Sequence, residues 1–170
     1  MTQNDDTQIS SLQCADAIEI SLYIELKGIK FYERAIKIAS TPRVREIFTR
    51  LMKEEKEHTT ALQEKAQFLQ PALGGKYTRK KPLDPRIKSL IKEHIFPDRF
   101  FEGEGKRQVS TDREALEIGI ESEKQSIVML EKLLAMERKM EVRAVFNHLL
   151  AEEKRHLQIL QVAQKECFGN

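Results

Sequence analysis

Several residue types on which other folds depend are scarce in this chain. Tryptophan is absent, aromatic residues make up 6% of the sequence, and glycine and proline number only 7 and 5 among 170 residues. So few turn-forming residues favour long helices over a sandwich of short strands. The formal net charge is only +2, so the charge balance argues neither for nor against nucleic-acid binding.

Cysteine is also scarce, and the two cysteines are far apart in the sequence. Because Cys14 and Cys167 form no Cys-x-x-Cys pair, a metal site made of thiolates is excluded. Residues 1–11 are polar and acidic, and we expect a flexible N-terminus there rather than a signal peptide or a membrane anchor. These features favour a reduced, cytoplasmic compartment and no membrane partner.

The chain does contain four long segments with helical periodicity. They span about 12–40, about 42–70, a stretch that begins at Thr111, and about 141–165. Thr41-Pro42 and the capping box from Thr111 to Glu114 are typical helix starts. We therefore predict an all-α four-helix bundle within a single domain spanning 1–170.

Residues 71–110 interrupt this pattern and are too many for a tight turn between helices. Asp84-Pro85 is typical of the cap and first turn of a short helix, which would end before Pro97. The predicted layout is two helical hairpins joined by a long crossover that contains this short helix. A basic run at 76–86 is predicted to be a solvated loop, with no nucleic-acid partner.

One pattern occurs twice, 98 residues apart. Phe-x-x-Leu-x-x-Glu-Glu-x-x-His spans 48–58 and again 146–156, and the same offset relates Glu25 to Glu123 in the middle of apolar helical faces. Glu and His three residues apart project from the same side of a helix and can reach one ion. The repeat predicts six metal ligands, which are Glu25, Glu55, His58, Glu123, Glu153 and His156.

Four carboxylates buried together are costly unless something neutralises them. Two divalent cations balance four carboxylates, so the charge arithmetic favours a dinuclear site, and carboxylate with imidazole suits iron or manganese. Glu54 and Glu152, beside the motif glutamates, are predicted to face solvent. His94 and His148 have no histidine at the same offset and are predicted not to be ligands.

On these residues, the sequence resembles the rubrerythrin-like branch of the ferritin-like di-iron proteins, over about 12–165. The resemblance implies a ferritin-like bundle with two iron ions, although manganese also suits the ligands. It implies that Glu55 and Glu153 bridge the two ions. The other four ligands would form one pair for each ion, Glu25 with His58 and Glu123 with His156.

The segment Glu25-x-x-Gly-x-x-Phe31-Tyr32 is similar to the family's first helix. Tyr32 lies two turns from Glu25 on the same face, so its hydroxyl either hydrogen-bonds a liganding carboxylate or is that of an ordinary core tyrosine. Rubrerythrins carry a further Glu where this chain has Ser126. They also carry a rubredoxin domain, whose Cys-x-x-Cys pairs do not occur in this sequence. Gly28, equivalent to Ser126, serves either close helix packing or space over the ions.

The resemblance implies a di-iron oxidoreductase that reacts with hydrogen peroxide or dioxygen and takes electrons from an unknown donor. A second hypothesis uses the same ligands for ferroxidase-type iron binding in storage, delivery or sensing. A third is a structural bundle with a vestigial site, which the presence of all six ligands disfavours. We expect a homodimer, because the long crossover and the lack of an evident fifth helix disfavour a hollow assembly.

Overall fold

The fold is built from four long helices. The computed structural model describes residues 12–69 and 109–169 together with positions 85 and 89, and no strand occurs among them. In chain order the helices are α1 (Cys14–Ile38), α2 (Pro42–Leu69), α3 (Asp112–Met136) and α4 (Met140–Phe168). The predicted all-α bundle of two hairpins is confirmed. The N-terminal segment 1–11 and most of the predicted crossover helix lie outside the described residues.

The helix ends follow local chemistry. Pro42 is the first residue of α2, where its missing N–H costs nothing. Thr111 caps α3, because its hydroxyl accepts a hydrogen bond from the N–H of Glu114 at 3.2 Å. At the other end of the chain, α4 stops at Gly169, whose φ of 71° is a left-handed conformation that glycine adopts without strain.

Each hairpin packs along its own length, and the two hairpins then pack together. Helix α1 lies against α2, and α3 against α4, while α1 also contacts α3 and α4, and α2 contacts α4. Phe48 and Phe146, which the repeat makes equivalent, are both fully buried. None of the helices in the described ranges has an apolar stretch long enough to cross a membrane.

Polar contacts join the turn of each hairpin to the start of the other. The buried carboxylate of Asp112, at the start of α3, accepts hydrogen bonds from the N–H groups of Ser40 and Thr41 at 2.8 Å. In the other turn, Glu137 accepts from the N–H of Leu12 at 3.2 Å, and the Lys139 ammonium donates to the Leu12 carbonyl at 2.9 Å. Helices α1 and α3 are therefore antiparallel, which brings their central segments together.

Candidate metal centre

Four glutamates meet in the middle of the bundle, one from each helix. Their exposed fractions are 0–1%, and they are Glu25, Glu55, Glu123 and Glu153. They lie on the faces that the apolar periodicity assigns to the core, so the packing that buries the surrounding side chains buries the carboxylates as well. The prediction that these four side chains come together is matched by the geometry.

Two histidines complete the cluster, and both turn Nδ1 toward the carboxylates. In His58, Nδ1 lies 3.5 Å from Oε1 of Glu25. In His156, Nδ1 lies 3.3 Å from Oε1 of Glu55 and 3.8 Å from Oε1 of Glu123. The two rings are stacked, with centroids 5.8 Å apart. The imidazoles are thus positioned to act with the inner carboxylates as ligands.

Among the described residues, potential ligand atoms form three groups compact enough to surround an ion. One of them joins Glu152 to His58 and His156, and the two others consist of predicted ligands alone. Glu25, Glu55 and His58 form one group, and Glu55, Glu123, Glu153 and His156 form the other. Within each group the potential ligand atoms all lie within 4.8 Å of one another. Glu55 belongs to both groups, as a bridging ligand must, whereas Glu153 belongs only to the second. The six predicted residues are brought together, and Glu55 has the more central place.

Buried atoms without partners make this cluster suitable for cations. One oxygen of each of the four glutamates, and Nδ1 of His156, is buried without a hydrogen-bond partner in the part of the chain described. Buried polar atoms normally have partners, because leaving them unpaired costs about 1–3 kcal/mol each. Oxygen and imidazole nitrogen are suitable donors to iron or manganese, and two divalent ions balance the four carboxylates.

The burial of so many acids shifts their protonation. Burial raises the pKa of Glu55 well above its usual value, and a hydrogen bond with Glu25 raises it further. Burial, followed by the charge of Glu123, likewise raises the pKa of Glu153. The carboxylate of Glu25, 3.5 Å from Nδ1 of His58, raises the pKa of that imidazole. A metal ion that binds here must therefore displace protons.

Tyr32 is fully buried beside the cluster, and its hydroxyl donates a hydrogen bond to the carboxylate of Glu123. Burial raises the pKa of the Tyr32 phenol, and the neighbouring carboxylates, Glu123 first, raise it further. The phenol therefore keeps its proton at neutral pH. Two roles were considered for the Tyr32 hydroxyl, and the structure has the one in which it hydrogen-bonds a carboxylate of the cluster.

The prediction that Glu54 and Glu152 face solvent is wrong. Their side chains are 16% and 21% exposed, and each contacts the histidine of the other motif. Glu152 lies 3.1 Å from Nε2 of His58, and Glu54 lies 3.4 Å from Nε2 of His156. We call Glu54 and Glu152 the outer carboxylates. The sequence did contain a clue, because this glutamate is repeated at the same offset as the ligands.

Arginines hold the outer carboxylates. Arg155 contacts Glu54 at 2.8 Å through one terminal nitrogen and hydrogen-bonds Glu152 through the other, and Nε of Arg50 donates to Glu54 at 2.9 Å. Burial alone would raise the pKa of both outer carboxyls, but hydrogen bonds from Arg50 to Glu54 and from Arg155 to Glu152 outweigh it and lower both pKa values. The outer carboxylates are therefore anionic acceptors.

His148 and His94 were both predicted not to be ligands. The exposed ring of His148 lies 6.5 Å from that of His58, and His148 belongs to none of the compact ligand groups found in the described ranges. It lines a cavity of about 20 Å³ that also touches Glu25, His58 and Glu152. That volume holds about one water molecule. His94 lies outside the described residues.

Gly28 makes room for a ligand. A Cβ atom added at Gly28 would lie 2.7 Å from Oε1 of Glu55, which is closer than such atoms approach without movement. Gly28 is therefore explained by the approach of the Glu55 carboxylate rather than by helix packing alone. At the equivalent position, Ser126 is fully buried, and its hydroxyl has no hydrogen-bond partner within the described ranges.

Four helices that bring buried Glu and His residues together define a ferritin-like carboxylate bundle. A protein-family model described as Rubrerythrin matches residues 16–163, and the chain belongs to the rubrerythrin family. Among solved structures, it resembles the bacterioferritin-related protein from Bacteroides fragilis, described as a dodecameric thioferritin, with a TM-score of 0.61 and 17% identity over 92% of this chain and 88% of that chain. No curated protein matches the chain in sequence. At 17% identity, the structural likeness supports the ferritin-like fold alone.

Proposed function

We propose that this protein is a di-iron carboxylate protein whose ligands are the six clustered residues. The observation that carries the proposal is the set of buried carboxylate oxygens without hydrogen-bond partners among the described residues. Without cations this arrangement is strongly unfavourable, because desolvation and mutual repulsion both oppose it. We assign as ligands Glu25, Glu55, His58, Glu123, Glu153 and His156.

The ligands divide naturally between two ions. Glu55 would serve both ions, since it belongs to both of the compact groups made of predicted ligands alone, and we assign Glu153 as the second shared ligand. His58 with Glu25 would hold one ion, and His156 with Glu123 the other. Tyr32 would keep the Glu123 carboxylate in position through its hydrogen bond. Manganese is a possible substitute for iron, because the same donors suit both.

We propose that the centre reacts with hydrogen peroxide or dioxygen as an oxidoreductase. When bound, a pair of iron ions supplies electrons to such an oxidant. The chain supplies a small cavity of about 20 Å³ beside Glu25 and His58, which holds about one water molecule next to the proposed ligands. The half that holds His58 is the more accessible, since its side chain is 18% exposed whereas that of His156 is 1% exposed.

The first test is the metal content. Metal-free protein is loaded anaerobically with ferrous iron, and bound iron is counted per chain by mass spectrometry. We expect two ions in the wild type and none in Glu55→Ala, since the bridging ligand serves both. Glu57→Ala is the matched control, because Glu57 is an exposed residue of the same helix that pairs only with Lys53 among the ion pairs of the described ranges. Fewer than one ion in the wild type would contradict a dinuclear site.

The second test identifies the oxidant. The loaded protein is mixed with peroxide or with dioxygen, and the oxidation of iron is followed by absorbance. Faster oxidation by peroxide supports a peroxidase, and faster oxidation by dioxygen supports a ferroxidase. A chain that holds two irons and reacts with neither would contradict the oxidoreductase proposal while leaving the metal site intact.

Iron storage is the alternative function, and one observation favours it. The similar Bacteroides fragilis protein is described as a dodecamer, and storage requires a hollow assembly. We favour the homodimer, and analytical ultracentrifugation distinguishes the two. A dodecamer that retains well over two irons per chain would support storage, and a dimer that retains two would support the redox proposal.

A further inference from the structure

We propose that Arg155 is a positioning residue that fixes both candidate metal-ligating histidines at once, by clamping the two outer carboxylates that contact them. This inference rests on the proposed metal centre. The chain of contacts runs from one guanidinium to two carboxylates, and from each carboxylate to one imidazole. In the described ranges, the ion pairs of Arg155 are with Glu54 and Glu152, and none is with a proposed metal ligand. Arg155 therefore acts on the histidines through these two carboxylates.

The contacts cross between the motifs. Glu54 of α2 faces Nε2 of His156 on α4, and Glu152 of α4 faces Nε2 of His58 on α2. Each ring therefore has an outer carboxylate at Nε2 and inner carboxylates at Nδ1. A carboxylate beside Nε2 favours the neutral imidazole tautomer that is protonated at Nε2. In this tautomer the lone pair of Nδ1 is free to bind a metal ion.

Arginine is suited to this task because its planar fork presents two terminal nitrogens to two separate acceptors. In the first motif, the residue at the equivalent place is Glu57, so the clamp exists in one copy only. The two outer carboxylates do not depend on it equally. Arg50 also holds Glu54, whereas Arg155 is the one arginine in contact with Glu152 among the ion pairs of the described ranges. Loss of Arg155 should therefore affect the ion beside His58 more than the ion beside His156.

The test is an anaerobic titration of the metal-free chain with cobalt(II), followed by absorbance. We expect Arg155→Ala still to bind two ions, with the affinity for one ion lowered about 10–100-fold, the usual effect of losing an outer partner of a metal ligand. Glu152→Gln should weaken the same binding step. Arg155→Lys should recover part of the loss, since an ammonium can reach one carboxylate but not both in the same geometry.

Lys154→Ala is the matched control, because Lys154 is the adjacent cation on α4 and pairs with exposed Glu131 at 3.0 Å, away from the centre. A second readout follows the imidazoles themselves. In the zinc-loaded protein, the His58 Nε2–H proton observed by NMR should exchange with water faster in Arg155→Ala than in either the wild type or Lys154→Ala. A residue that only supports the fold would not change this proton selectively.

The outcomes separate this proposal from the proposed function. If the wild type binds two ions and Arg155→Ala matches Lys154→Ala in both affinity and Nε2–H exchange, the clamp is contradicted and the metal centre stands. If the wild type binds no metal, the proposed function and the clamp are overturned together. A weakened binding step, with an unfolding midpoint for the metal-free variant equal to that of Lys154→Ala, supports the clamp.

Discussion

At the scale of single residues, the centre depends on close fits around carboxylates. The close approach of Glu55 to Gly28 and the hydrogen bond from Tyr32 to Glu123 each involve a buried carboxylate of the cluster and one residue of α1. The periodicity of the repeat was enough to predict which six residues come together in the bundle, because it places them on the inward faces of their helices. Their role as metal ligands stays a prediction. The periodicity was not enough for Glu54 and Glu152, whose partial burial depends on how closely α2 and α4 approach.

Gly28→Ala should separate metal binding from stability. Alanine favours a helix interior over glycine by about 1 kcal/mol, so we expect the metal-free chain to unfold at an unchanged or slightly higher urea concentration. The new Cβ would displace the Glu55 carboxylate, so the affinity for both ions should fall about tenfold or more. Gly119→Ala is the control, because the nearest neighbours of its added Cβ would be the apolar side chains of Leu160 and Phe31. Equal metal affinities in the two variants would refute this role of Gly28.

Tyr32→Phe should remove one hydrogen bond and little else. The change leaves the ring in the core but deprives the Glu123 carboxylate of its donor, which costs about 1.5–3 kcal/mol where the acceptor is charged. We expect the ion beside His156 to bind more weakly, and the ion beside His58 to bind nearly as in the wild type. Stepwise metal titration measures the affinity for each ion. If both affinities fell equally, Tyr32 would not act specifically on the ion that Glu123 is proposed to hold.

At the scale of helices and turns, the local caps were predictable and the long-range ties were not. Thr111 begins its helix through a hydrogen bond from a residue three positions away, and Pro42 is the first residue of its helix, where its fixed backbone angle suits a helix start. The contact of Asp112 with Ser40 and Thr41 spans about 70 positions of sequence, and no local pattern indicates it. Helix α4 continues to Phe168, three residues past the predicted end, and stops at the left-handed Gly169.

Asp112 should make stability depend on pH. Burial alone would raise the pKa of Asp112, but hydrogen bonds from Thr41 and Ser40 outweigh it and hold the pKa below its usual value. The stabilisation is then fully present above the unfolded pKa of about 3.9 and is lost as the pH falls through the lower folded pKa. Asp112→Asn should lower the free energy of unfolding by about 1–3 kcal/mol at pH 7. Below about pH 4, the free energies of unfolding of the variant and the wild type should become more similar.

Urea unfolding of the metal-free chain at pH 7 and pH 3 measures this dependence. Asp16→Asn is the matched control, since Asp16 also lies in the first turn of a helix but its hydrogen bond to the Gln13 N–H is exposed. If the wild type and Asp112→Asn differed in free energy of unfolding by the same amount at both pH values, the charge of Asp112 would not be the cause of the stabilisation.

At the scale of the whole molecule, metal should reverse the effect of a core substitution. In the metal-free chain at neutral pH, the raised pKa of Glu55 means that folding must either protonate this carboxyl or bury its charge. Glu55→Gln avoids this cost, so we expect the thermal midpoint to rise. In the loaded protein, the wild type should be the more stable, since an ion present at 100 times its Kd adds about 2.7 kcal/mol. Calorimetry with and without a chelator measures the thermal midpoints of the wild type and of Glu55→Gln. If the same protein had the higher midpoint in both conditions, the expectation would be contradicted.

The crossed contacts between the motifs have an evolutionary consequence. Neither hairpin holds a complete centre, because the outer carboxylate of each one serves the histidine of the other. Two identical copies of one hairpin, related by twofold symmetry, would nevertheless contain every inner ligand and both crossed contacts. A half-length ancestor could therefore have formed this site as a dimer before gene duplication joined the halves. Arg155 is equivalent to Glu57 in the repeat. A symmetric dimer would carry the same residue at both positions, so an arginine at only one of them requires the fused chain.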